Sequence, residues 1–117
     1  MGGTRVTVRN PPEADWKLFR ELREVALDRF CSRVLQELGP VTEDTSRTSH
    51  ERYLSTFHLL KERDRQLSEA FDNPRRSHMI EQLAAIHAYG LLQPGELDRF
   101  SRGTREALQT IADQPRP

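Results

Sequence analysis

The sequence predicts an all-α fold: a long antiparallel helical hairpin with three shorter C-terminal helices packed on it, forming a helical bundle. Three observations carry that expectation. Apolar residues from Leu18 to Ile111 recur at intervals of three and four, the helical period, and not in strand-like alternation. Helix-starting residues (Pro12, Thr48, Ser101) precede these runs, and helix-stopping ones (Gly39-Pro40, Asn73-Pro74, Gly90) follow them. At 117 residues the chain is long enough for one core and too short for two.

Residues 1–12 read as a mobile N-terminal arm, and residues 13–117 as a single helical domain. The arm holds one short alternation, Arg5-Val6-Thr7-Val8-Arg9, which has no strand to pair with. From Glu13 to about Leu38, Leu18, Phe19, Leu22, Val25, Ala26, Phe30, Val34 and Leu38 form a broad apolar face, with Pro12 in the first turn and Gly39-Pro40 as the stop. Such a helix would be about 39 Å long and overhang the core. Its outer face offers i,i+4 pairs: Lys17 with Glu21, Arg20 with Glu24, and Arg33 with Glu37. Val41 to Arg47 has loop composition, and Thr48 with Glu51 fits a capping box that opens a second helix ending near Phe71. Tyr53, Phe57, Leu60, Asp64, Leu67 and Phe71 lie four, three, four, three and four apart, the heptad seam of a helix pair. A third helix is expected from about Pro74 to Tyr89, closed by a left-handed Gly90. Gln93-Pro94-Gly95-Glu96 restarts a short helix bearing Leu97 and Phe100. Ser101 then caps a last one that frays from Gln114 to Pro117.

Composition removes several function classes. Lys plus Arg and Asp plus Glu both number 18, so no net field draws the chain to nucleic acid or an anionic bilayer. The single cysteine, Cys31, excludes an internal disulfide framework. No apolar run approaches the roughly 20 residues that cross a bilayer, and no secretory leader or lipid-anchor motif is legible. The expectation is a soluble, cytoplasmic, bacterial-type protein. None of His50, His58, His78 and His87 stands three or four residues from another, so no helix face presents two metal ligands. Neither a metal nor another cofactor is expected, and no residue constellation suggests catalysis.

Asp64 stands out because a carboxylate interrupts the apolar stripe of the second helix. If buried it needs a partner, and Arg29, bordering the first helix's apolar face, is the natural one; otherwise it is a functional carboxylate. Cys31 is expected on the buried side of the first helix, His58 beside Glu62, and His87 at the core edge. Trp16, beside Phe19 at the start of an overlong helix, is a candidate interface anchor. Sixteen of the basic residues are arginine, and Arg75, Arg76, Arg99, Arg102 and Arg105 are the ones that could touch phosphates. Glu96, Asp98 and Glu106 dilute the later group.

The stretch Leu83-x-x-Ile86-x-x-x-Gly90-Leu91-Leu92-x-x-x-Glu96-Leu97-x-x-Phe100 resembles the short C-terminal helix-pair modules of many bacterial proteins. The resemblance implies a role in oligomerisation; independently of it, the stop at Gly90, the two leucines folded back and the restart at Pro94 predict a compact αα-corner. This chain departs from those modules at Ser101, which breaks the basic helix that usually follows. The function expected from the whole sequence is a non-catalytic protein-protein interaction or regulatory module, with a protein partner or self-association. The alternative is a nucleic-acid-associated regulator using the five arginines. The candidate interaction residues are Trp16, Phe19, Asp64, Arg75 and Arg76.

Overall fold

The structure, a computed structural model, describes residues 10–114 and is all-helical over that span. Helix α1 spans Glu13–Thr42, α2 Ser49–Phe71, α3 Met79–Ala88 and α4 Arg102–Ala112. Single 3-10 turns at Arg76–His78 and Leu97–Arg99 complete the order. The middle one of the three expected C-terminal helices is therefore one turn, and the first of them, expected from about Pro74, starts as an α-helix only at Met79. Asn73 at φ 50° and Gly95 at φ 91° break the backbone before each turn. Residues 1–9, most of the expected arm, lie outside the described residues. Pro11 is buried, and its carbonyl accepts from Arg76 Nε at 2.9 Å.

Helix α1 runs through Gly39-Pro40, where the sequence predicts a stop. Pro40 lacks the N–H that would bond to the Gln36 carbonyl, but this is one bond on a solvent-exposed last turn and not in a packed helix middle. The chain past it is held from outside. Arg52 Nη1 of α2 donates to the Thr42 carbonyl at 2.7 Å, while the helix's own bonding resumes with the Glu43 N–H on the Gly39 carbonyl at 3.0 Å. At 30 residues, α1 is about 45 Å long.

The capping box of α2 forms as expected. Thr48 Oγ1 accepts from the Glu51 N–H at 3.1 Å, and Glu51 Oε1 accepts from the Thr48 N–H at 2.9 Å. The pairing with α1 is antiparallel: Arg52 reaches Thr42, Arg63 reaches Glu37, and Arg23 reaches the Phe71 carbonyl. Helix α3 ends in a Schellman motif. Gly90 at φ 71° lets its N–H bond to His87, and the Leu91 N–H bonds to Ile86. Buried Leu91 folds under the helix end, as the leucine pair after Gly90 predicts.

One buried cluster joins all four helices through Phe19, Leu22, Phe30, Phe71, Met79, Leu83, Ile86, Phe100 and Leu108. Phe30 meets Phe71 edge-on at 6.1 Å. Each such fully buried side chain stabilises the fold by about 1.5–3 kcal/mol. The expected surface pairs of α1 do not organise the fold; long-range clamps do. Arg33 donates to the carbonyls of Tyr89 and Gly90, so Glu37 pairs across the hairpin with Arg63 and not along the helix with Arg33. Arg29 pairs with Glu96 through two bonds of 2.8 and 3.0 Å and also donates to the Leu91 carbonyl, so it is Glu96, not Asp64, that partners it.

The buried carboxylate of this protein is Asp15, only 4% exposed. It accepts from the Ser101 N–H at 3.0 Å, from Ser101 Oγ at 2.6 Å and from Thr104 Oγ1 at 2.6 Å. Asp15 thus sits at the positive N-terminal end of α4 and ties it to the first turn of α1. Ser101 also caps α4 itself, accepting from the Thr104 N–H.

Replacing Asp15 with Ala removes the acceptor of three donors, one of them on fully buried Thr104, and is expected to lower the unfolding free energy by about 2–4 kcal/mol in urea titration. The Arg29 guanidinium holds the Glu96 carboxyl below its ordinary range, and Arg63 does the same for Glu37. Both pairs therefore stabilise the fold above the unfolded carboxylate pKa, and the stability is lost as pH falls through the depressed folded values. In Glu96→Gln the urea midpoint is expected to depend less on pH below about 4.5 than in the wild type.

Candidate protein-interaction surface

Two neighbouring stripes on α2 have heptad spacing, and α1 packs against the less apolar one. The half-buried or buried positions facing α1 are Arg52, Thr56, Leu59, Arg63, Gln66 and Ala70. Each immediately precedes a residue of the predicted seam, so α2 is turned by about 100° from the expected orientation. Small Ala70 lies fully buried where the chains approach, and the bidentate Arg63–Glu37 pair holds the middle of the contact at 2.9 Å.

The turn leaves the apolar stripe at the side of the hairpin. Its burial decays toward the hairpin tip: Phe71 is 1% exposed, Leu67 half-buried, Leu60 43%, Phe57 52% and Tyr53 67% exposed. The proximal end lies against the core, and the distal end has nothing over it in the described residues.

The two faces of the hairpin differ accordingly. On one, Tyr89 at the end of α3 closes a recess of about 200 Å³ of mixed lining, with Arg33, Glu37, Arg63 and Gln66 beside Phe30 and Val34. Tyr89 donates to Glu69 at 2.5 Å, and burial, aided by that carboxylate, pushes its ionisation up to about 12. The other face carries an apolar groove of about 240 Å³, lined by residues of α1 and α2 alone. Cys31 and Leu35 form one wall, Leu60 and Leu67 the other, with Asp64 among them. Leu35 is 67% exposed, and Lys61 lies 6.0 Å from the Phe57 ring, its stem along the edge of the stripe.

Asp64 is exposed on this open face and is not a buried seam residue, because the one-position rotation carries it out of the α1 contact. Cys31 is likewise exposed, against the expectation of a buried thiol. Trp16 is half-buried, stacked on Phe19 at 5.7 Å with the Arg20 guanidinium 5.6 Å above its ring. Phe19 itself is fully buried and presents no surface to a partner. Arg75 is exposed at the α2–α3 junction, whereas Arg76 is held by the Pro11 carbonyl and by Glu13 at 2.9 Å. Arg102 pairs with Glu106, and Arg99 and Arg105 are exposed. His58 packs edge-on to Phe57 and makes no ion pair with Glu62, which bonds to Arg65, and His87 is exposed instead of at the core edge.

Sequence reasoning missed Leu35 and the outward turn of Tyr53, Phe57 and Leu60. One signal could have exposed the turn: the stripe holds a carboxylate, while the adjacent stripe holds Ala70 and an arginine with Glu37 in reach. Among the described residues, no group of three or more His, Cys, Asp or Glu side chains could hold a metal ion, and no helix is long and apolar enough to cross a membrane. No family model, curated protein or solved structure matches this chain.

The exposure pattern has a direct thermodynamic consequence. Phe57→Ala and Asp64→Leu are expected to change the unfolding free energy of the monomer by less than about 1 kcal/mol, and Phe71→Ala to lower it by about 3–5 kcal/mol, in parallel urea titrations at a protein concentration low enough to keep the chain monomeric.

Proposed function

We propose that this chain is a non-catalytic protein-interaction module whose binding surface is the open face of the α1–α2 hairpin. The observation that carries the reading is the stripe Tyr53, Phe57, Leu60 and Leu67. It has heptad spacing, which suits packing against another helix, yet α1 packs elsewhere and the distal residues stay bare. Exposed apolar surface of this kind weakens solubility and is retained where a partner covers it. The groove beside it adds depth, so a partner helix could seat its own apolar residues between Leu35 and Leu60.

The arginines give less support to a nucleic-acid role. Arg23, Arg29, Arg33, Arg52 and Arg76 are engaged with backbone carbonyls, and Arg63, Arg65 and Arg102 with glutamates. Among the described residues, Arg20 lies over the Trp16 ring, Arg47, Arg75, Arg99 and Arg105 are exposed at scattered positions, and Asp98 and Glu106 adjoin the last two, which lowers the local field.

A photoreactive benzophenone amino acid placed at position 60 in the native cell tests the reading, with exposed position 21, about four turns from Leu35 toward the core end of α1, as control. Polypeptide adducts at position 60 and none at position 21 are expected. Equal, background-level adduction at both positions removes the reading.

A further inference from the structure

Resting on the interaction-module reading, we propose that the occupant of the open face is a second copy of this chain. The two α2 helices would lie antiparallel about a two-fold axis passing between His58 and Leu59. The stripe itself supports that geometry. Phe57 and Leu60 are symmetric about this point, and so are Tyr53 and Asp64. Antiparallel pairing places Phe57 over Leu60 of the other copy, and Leu60 over its Phe57, giving an apolar centre. On either side, Tyr53 of one copy stands opposite Asp64 of the other.

That arrangement accounts for the one charged residue of the stripe. A carboxylate covered by an apolar partner would lose its hydration without compensation. Here the single carboxylate of the stripe meets its single hydroxyl, twice, under one symmetry operation. The same patch serves both copies, as a two-fold contact requires. Lys61 and Arg65 flank the stripe as exposed residues, Arg65 paired with Glu62 at 2.6 Å, so their heads can stay in water. A chain with 18 basic and 18 acidic residues also carries no net repulsion between copies.

The exposed parts of Leu35, Tyr53, Phe57 and Leu60 amount to on the order of 450 Å² per chain. Doubled, this sets an upper bound of about 900 Å² on what these residues contribute to a symmetric contact, the size range of weak, reversible association unless a polar rim adds to it.

Sedimentation equilibrium of the full chain from low to high micromolar concentration tests the proposal. The expected result is a reversible shift from the 13.6 kDa monomer to a species of twice that mass, with no larger species. Phe57→Glu is expected to remain monomeric with an unchanged helical circular-dichroism spectrum, since Phe57 is not part of the core. Tyr53→Glu places two carboxylates opposite each other and is expected to weaken the dimer about tenfold or more. Adding Asp64→Lys to it is expected to restore the affinity, which no unrelated dimer face would do. A concentration-independent wild-type monomer, a dimer that survives Phe57→Glu, or a failed rescue overturns the proposal. If the wild type is monomeric while position 60 still cross-links to other polypeptides, the interaction-module reading stands and only the second copy is lost.

Discussion

The orientation of α2 against α1 is the constraint on which the rest of this molecule depends. Antiparallel helices can pack through either of two adjacent stripes, and here the choice falls on the one containing Arg63 and Ala70. The bidentate Arg63–Glu37 pair satisfies both partners with ideal fork geometry. Ala70 lets the helices approach where Phe71 turns toward Phe30 and the core beneath α3. Had the apolar stripe faced α1 instead, Asp64 would have been buried and Arg63 turned outward. The structure avoids the unpaired buried charge and leaves apolar side chains in water, the smaller cost for residues that stay partly covered.

The arginine-rich composition follows from a second feature of the architecture. Several helix ends lie against neighbouring helices, where their terminal carbonyls have no partners within the helix. Arg23 supplies one for Phe71, Arg29 for Leu91, Arg33 for Tyr89 and Gly90, and Arg52 for Thr42. A guanidinium, with five donors in a fixed fork, can bond a carbonyl and a carboxylate together, as Arg29 does with Leu91 and Glu96; an ammonium does this less well. Asp15 performs the opposite duty at the N-terminal end of α4. Positive side chains at helix C-termini and a negative one at an N-terminus both complement the helix dipoles.

Together these clamps concentrate stability at one end of the molecule. The core and the contacts to α3 and α4 run along α1 from Asp15 to Val34 and meet the end of α2, so the hairpin beyond Glu37 is a two-helix projection. Two helices alone cannot bury both their faces. One face of that projection is covered at its base by Tyr89 at the end of α3, and the other, more apolar face is bare among the described residues.

What the sequence determined by itself were the local events. The capping box at Thr48, the Ser101 cap and the left-handed Gly90 all depend on bonds spanning a few residues, so residue identity was enough to place them. The all-helical class was equally legible from apolar spacing. Only the tertiary structure decided which stripe of α2 meets α1, that α1 continues through Pro40, that Arg29 binds Glu96, and that Asp15 is the buried carboxylate. Each of these turns on partners distant in sequence: Glu37 for Arg63, Arg52 for the end of α1, Ser101 and Thr104 for Asp15. Periodicity reveals that a helix has an apolar face; it does not reveal where that face points when an adjacent stripe, one residue earlier, makes better contacts with a neighbour.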